Sequence, residues 1–204
     1  MKLSDAVKQK GRPFEIPDCC RDDLPSFFKE MGFTVGAEIG VQRGDFSKII
    51  CKAGLKLYGI DPWLAYADYV EPGVQDQGKM DEAMGVNIER MKGHDFIPIR
   101  KTSMEAVNDF KDESLDFVYI DGNHSFKYVT EDIFEWSKKV RRGGVISGHD
   151  YVIMANKNHN LHVKYVVDAY TAAMGLRNWY VLGRKERIEG ELRDKYRSWF
   201  WIKT

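Results

Sequence analysis

From residue 35 onward, short apolar runs alternate with longer amphipathic ones, and this alternation constrains the fold more than any other feature of the chain. Val35 to Gly40 reads as a buried strand ending in glycine. Gly44 to Ile50 opens a helix whose Phe46, Ile49, Ile50 and Ala53 share one face, with Gly54 as its stop. Lys56 to Asp61 is a second short strand, so this stretch has the length a parallel crossover needs. The order repeats: a helix over 79–91 and a strand over 96–101, then a short helix after Ser103 and a strand over 115–121. A helix from Ser125, with Val129, Ile133, Trp136 and Val140 at helical spacing, leads through Gly143-Gly144 into the strand Val145 to Ser147. A helix over 161–174 follows, and 179–182 and 198–202 close the chain as a hairpin. The pattern predicts a doubly wound α/β sheet of about seven strands, mostly parallel, with the C-terminal hairpin supplying an antiparallel edge strand.

The 204 residues suit one domain, and 31 Lys+Arg against 31 Asp+Glu leave no basic surplus of the kind that nucleic acid or an anionic membrane attracts. No apolar run reaches the roughly 18 residues needed to span a bilayer, and the first 17 residues lack the apolar block of a signal peptide. Three cysteines, two of them adjacent at Cys19 and Cys20, fit a reduced compartment. The expectation is a cytoplasmic protein with a small-molecule ligand, no nucleic-acid or membrane partner, and room for homo-oligomer contacts. Residues 1–32 read as an N-terminal arm with a short helix at 24–31, serving as lid or oligomer contact. The Asp-, Pro-, Gly- and aromatic-rich stretch 62–78 reads as a lid-like insertion in a domain spanning 33–204.

In such sheets ligands sit beyond the carboxyl ends of the strands, so the residues after each strand carry the functional signal. The first strand is followed by a Gly-x-x-x-Gly loop, Gly40 to Gly44, entering a helix. This is either a tight turn or a place where backbone approaches a ligand closely, and its spacing disfavours a nicotinamide dinucleotide site. Asp61 lies 23 positions after Glu38, where a carboxylate accepts hydrogen bonds from ribose hydroxyls; before Pro62 it could also simply initiate a turn. Thr102, Ser103, Met104 and Glu105 follow the third strand and suit either an adenine edge or a helix cap. The fourth and fifth strands end in Asp121-Gly122-Asn123-His124 and Ser147-Gly148-His149-Asp150. Two carboxylates and two imidazoles thus emerge at adjacent strand ends. Asp121 and Asp150 can share a divalent cation, with His149 or Asn123 as a third ligand or supporting group, or they can form a metal-free loop network. His124 suits a general base near neutral pH, with a helix-capping histidine as the plain alternative. Glu38, Asp61, Asp121 and Asp150 together predict an acidic cleft.

The strings Val35 to Val41, Gly59 to Trp63, Tyr119 to Phe126 and Gly143 to Tyr151 resemble class I S-adenosylmethionine-dependent methyltransferases with a Rossmann-like sheet. They are similar in particular to the small-molecule O-methyltransferases of the macrocin type, over about residues 33–204. The resemblance implies that Glu38, Gly40 and Gly44 surround the methionine and ribose parts of S-adenosylmethionine, that Asp61 binds the ribose, and that Ser103 and Met104 border the adenine. It implies Asp121 as a strand-end ligand to a divalent metal, Mg²⁺ or a transition metal, beside the cofactor, with Asp150 as a second ligand and His124 as the base. His149 departs from the acidic residue usual in that group, which favours a transition metal if His149 ligates, or a site working without metal. The implied reaction is methyl transfer to a hydroxyl of a sugar or aromatic natural product, under a lid carrying Trp63, Tyr66 and Tyr69. Two rivals stand beside it: a non-heme iron hydroxylase using Asp121, His124 and His149, and a non-catalytic nucleoside-binding module.

Overall fold

The computed structural model describes residues 2–66, 75–153, 161–184, 194 and 196–204. In chain order the elements are α1 (Leu3–Ala6), β1 (Phe14–Ile16), α2 (Leu24–Glu30), β2 (Val35–Ile39), α3 (Asp45–Lys52), β3 (Lys56–Ile60), α4 (Gln77–Arg90), β4 (Phe96–Ile99) and α5 (Ser103–Ala106). They continue with β5 (Leu115–Ile120), α6 (Phe126–Lys139), β6 (Val140–Gly148), α7 (Val163–Ala173), β7 (Tyr180–Leu182) and β8 (Trp199–Ile202). The strands form one sheet in the order β1-β7-β8-β6-β5-β2-β3-β4. All neighbours are parallel except those of β8, which runs antiparallel to both β6 and β7.

The doubly wound sheet expected from the apolar alternation is present, with two departures. The antiparallel strand is not at the edge: β8 inserts between β6 and β7, where its buried Trp199, Phe200 and Trp201 face both sides. An eighth strand comes from the N-terminal arm, where β1 pairs in parallel with β7 and Ile16 is buried. The sequence signal for β1 is only three residues long, too short for periodicity to register. Gly143 and Gly144 lie within β6, in an irregularity where four residues stand between the pairs Leu115↔Val140 and Phe117↔Val145.

Strand alternation separates the core into two layers. On β5, Val118 and Ile120 face α6 and α7 with Ile133, Trp136 and Val166, whereas Phe117 and Tyr119 face α2 and α3 with Phe28, Phe46 and Ile50. Because β5 is buried on both faces along its whole length, its polar end at Asp121 has one way out, toward the carboxyl edge of the sheet. No helix among the described residues is long and apolar enough to cross a membrane.

Candidate active site

At that edge a cavity of about 650 Å³ opens between the ends of β2, β3, β4 and β5, lined among others by Glu38, Gly40, Asp61, Ser103, Met104, Asp121 and His124. Seven of the residues singled out from the sequence thus share one wall. Gly44 is not among the described lining residues. It has φ +74 at the start of α3, and a Cβ there would come 2.4 Å from the Asn87 amide, so its small size serves packing against α4. Gly40 lines the cavity, but its constraint also comes from the chain: at φ +87, a Cβ would come 2.1 Å from the Asp121 carbonyl oxygen. The glycine lets the ends of β2 and β5 close together, with Asp121 N–H donating to the Ile39 carbonyl at 2.8 Å.

Asp61 ties the second half of this wall. Its carboxylate accepts from the Gln42 N–H at 2.8 Å and the Trp63 N–H at 2.7 Å, so the loop after β2 and the loop after β3 move as one. Burial raises the carboxyl's pKa against the pull of these amide donors. Trp63 does not cover the cavity as a lid residue. It is buried against Val41 and Ala83, and its indole donates to the Gln42 carbonyl at 2.9 Å. Tyr66 and Leu64 do line the cavity, and the remainder of the expected lid, 67–74 with Tyr69, lies outside the described residues.

Glu38 is wholly buried and accepts from the Ser47 hydroxyl. Burial pushes its carboxyl up to about 8, with the Asp121 charge adding to the rise and Ser47 and Arg21 opposing it. The expected acidic cleft is therefore less charged than the residue count implies, since Glu38 is mostly protonated at neutral pH. Ser103 behaves differently from expectation as well. Its hydroxyl accepts from the Trp136 indole at 2.8 Å and donates to Asp132, so it is held by the protein's own groups. Asp132, on α6, also lines the cavity, and burial brings its carboxyl up to about 7. Inside an amphipathic helix pattern this carboxylate carried no local signal.

The end of β5 and the end of β6 bring Asp121, His124 and Asp150 together, with ligand-capable atoms all within 4.8 Å of one another. His124 Nε2 lies 3.0 Å from Asp150 Oδ2 and 3.4 Å from Asp121 Oδ1. Asp150 sits at φ +60, an uncommon conformation for a residue with a side chain, and its amide neighbourhood is fixed by the His149 N–H donating to the Ile120 carbonyl. Burial alone would raise the Asp150 carboxyl, but His124 and His149 outweigh it and hold the group well below the usual carboxylate range.

His149 takes a different place from the third ligand expected beside Asp121 and Asp150. Its Nε2 is 3.0 Å from Asp194 Oδ1, whereas its Nδ1 stands 3.8 Å from Asp121 and 3.7 Å from Asp150. Burial would lower its pKa, but Asp121, Asp150 and Asp194 push it up to about 10, so it is a fixed cation behind the cluster. Among the described residues, the group whose ligand-capable atoms lie within 4.8 Å of one another is Asp121, His124 and Asp150, without His149. Asn123 spends its Oδ1 on the Ser125 N–H at 3.0 Å. Arg21, like Asp132, lines the cavity without a sequence signal. Arg21, from a 3-10 turn over Arg21–Asp23, reaches across the site to Asp121 at 3.5 Å, with its guanidinium 5.3 Å from the Phe46 ring centroid.

The chain is 36% identical over 52 residues to the uncharacterized protein y4gI of Sinorhizobium fredii, a stretch that is 26% of this chain and only 6% of that relative. An O-methyltransferase from Bacillus cereus, solved in complex with SAH, is similar at 17% identity and a TM-score of 0.59, over 90% of this chain and 80% of that one. An rRNA methylase from Streptococcus thermophilus is similar at 13% identity and a TM-score of 0.55, over 88% of this chain and 93% of that one. These structural likenesses concern the fold. The model of the family described as a methyltransferase domain matches residues 37–151, from β2 through the Asp150 turn, and the chain therefore belongs to that methyltransferase family.

Proposed function

We propose that the protein transfers a methyl group from S-adenosylmethionine to a hydroxyl of a small molecule, of the sugar or aromatic natural-product type. The observation that carries this reading is the single cavity that joins the Asp61-tied loop to the Asp121–His124–Asp150 cluster. The solved Bacillus cereus neighbour with bound SAH supports the cofactor. When bound, the cofactor supplies an already activated methyl group, so the protein must align the acceptor, take its proton and keep water out.

The residues present suit these tasks. Asp61 offers carboxylate lone pairs beyond those taken by Gln42 and Trp63, and these meet a ribose diol. His124 takes the acceptor's proton, and the carboxylates of Asp150 and Asp121, 3.0 and 3.4 Å from Nε2, hold the ring in place and stabilise the imidazolium that results. Asp150 and His149 are not among the described lining residues, which suits positioning roles behind His124. Ile39, Ile60 and Met80 supply apolar wall that excludes water.

A second reading rests on the 4.8 Å grouping itself. Two carboxylates and one imidazole form a donor set that fits a divalent metal, held by Asp121, His124 and Asp150, which would lower the acceptor's pKa. His124 would then be a ligand and not the base. Calorimetric titration with S-adenosylmethionine tests the cofactor: wild type binds, and Asp61→Ala loses binding; unchanged affinity in the variant would sink the assignment. Turnover of a hydroxyl acceptor with and without EDTA separates the two readings of His124, since only the metal reading predicts loss of activity on chelation.

A further inference from the structure

We infer that Arg21, supplied by the N-terminal segment, is the group that binds the α-carboxylate of the cofactor's methionine arm. The inference rests on the proposed use of S-adenosylmethionine, and it assigns a residue that lies outside the matched span 37–151.

The argument begins with the shape of the ligand. With the ribose at Asp61 and the reacting methyl directed to the His124 cluster, the third substituent on the sulfonium, an amino acid carrying one ammonium and one carboxylate, must enter the remaining part of the cavity. That part is walled by Glu38, Phe46, Asp121 and Arg21. The Asp121 carboxylate there suits the ammonium and the sulfonium but repels a carboxylate, which needs a cation with fixed donors.

Among the described lining residues the cationic candidates are Arg21, Lys127 and His124. His124 is engaged by Asp121 and Asp150, and Lys127 is exposed, with its ammonium 5.3 Å from the Tyr128 ring centroid. Arg21 is part-buried and held in place. Its guanidinium lies against the Phe46 ring, with its carbon 5.3 Å from the ring centroid. Its contact with Asp121 Oδ2, at 3.5 Å, is long for a charge-assisted hydrogen bond, which leaves the planar fork of N–H donors able to meet a carboxylate in bidentate fashion.

The turn that carries Arg21 is preorganised. Asp23 accepts from the Cys20 N–H at 2.8 Å, α2 follows with Phe27 and Phe28 buried, and β1 is paired to β7 just upstream. The N-terminal segment is thereby fastened to the sheet on both sides of Arg21. This gives a physical reason for its presence: it brings a positive charge to a cavity whose own strand ends provide carboxylates.

The test compares S-adenosylmethionine with its decarboxylated analogue, by calorimetry, on wild type, Arg21→Gln and Arg21→Lys. Wild type is expected to bind the carboxylate-bearing cofactor about tenfold to a hundredfold more tightly than the analogue, the range for a charged hydrogen-bonded pair. Arg21→Gln is expected to lose that preference, by weakening the cofactor and leaving the analogue within about twofold. Arg21→Lys retains part of the preference. Thermal unfolding of each variant near the wild-type midpoint confirms that the fold is intact, and the ratio of the two ligands on one protein cancels residual folding effects. An Arg21→Gln variant that keeps the wild-type preference overturns the assignment while leaving the cofactor reading intact. A variant with unchanged preference but a raised KM for an acidic acceptor overturns it in favour of acceptor binding. Wild type that binds neither compound overturns the cofactor reading, and the Arg21 assignment with it.

Discussion

Replacing Glu38 by Gln should change stability with a sign that depends on pH. Glu38 is wholly buried, and its carboxyl is raised from an ordinary 4.5 to about 8. The unfolded chain releases this proton near pH 4.5 whereas the folded protein keeps it to about 8, so folding stability falls as pH rises through that window and levels off above it. At roughly 1.4 kcal/mol per pH unit, the cost of keeping the proton is about 3 kcal/mol at pH 7 and approaches about 5 kcal/mol at pH 8 and above. Gln has no such cost, and its amide oxygen can still accept from Ser47, but its extra N–H finds no assured partner in the buried site, a loss of about 1–2 kcal/mol. Glu38→Gln should therefore be slightly the less stable protein at pH 5 and the more stable one at pH 8, there by about 2–3 kcal/mol, with the curves crossing between about pH 5 and 6. Urea unfolding of both proteins at pH 5, 6, 7 and 8 measures this. The slopes due to His149 and Asp132 are common to both chains and cancel in the difference. A stability difference that stays constant from pH 5 to 8 would refute the reasoning, because it would mean that Glu38 titrates alike in the folded and unfolded chain.

Three other outcomes follow from the geometry. Gly40→Ala should destabilise the fold by several kcal/mol, seen as a fall in Tm, since the added Cβ meets the Asp121 carbonyl at 2.1 Å and the backbone is at φ +87. Asp194→Asn should cost about 3 kcal/mol at neutral pH by removing the carboxylate 3.0 Å from the Nε2 of the His149 cation. The raised His149 pKa makes that stabilisation full below about 6.5 and lost as pH climbs through about 10, so unfolding midpoints of variant and wild type should converge at the alkaline end. If His124 is the base of the proposed methyl transfer, His124→Ala should lower the rate by about 10²- to 10⁴-fold while cofactor affinity by calorimetry is unchanged.

The strand-end residues were legible because the rule that locates them is local. Once a run of alternating apolar residues is recognised, its last polar neighbour is fixed; Asp61 and Asp121 are each that neighbour, and Asp150 stands two positions past the end of β6. His124 follows from Asp121 by three positions. Gly44 shows the limit of such reading, because a glycine in a turn looks alike whether it makes room for a ligand or for a side chain such as Asn87 on α4. Asp132 was hidden because a single carboxylate inside a helix repeat reads as surface until the helix is docked with that residue inward, toward Ser103. Trp63 read as a lid residue because its fate depends on Val41 and Ala83, from elements apart from it in sequence.

The sequence by itself determined the doubly wound sheet, the edge at which the cavity opens and the carboxylates and histidine that gather there, because these follow from period-two and period-3.6 patterning and from where each run stops. Only the tertiary structure decided that β8 lies inside the sheet, that β1 joins its edge, that His149 pairs with Asp194, and that Arg21 meets Asp121 from 100 residues away. The physical reason is that pairing and burial depend on what arrives from distant segments. Those arrivals set which carboxyl keeps its proton, which imidazole is charged and which cation faces the cavity.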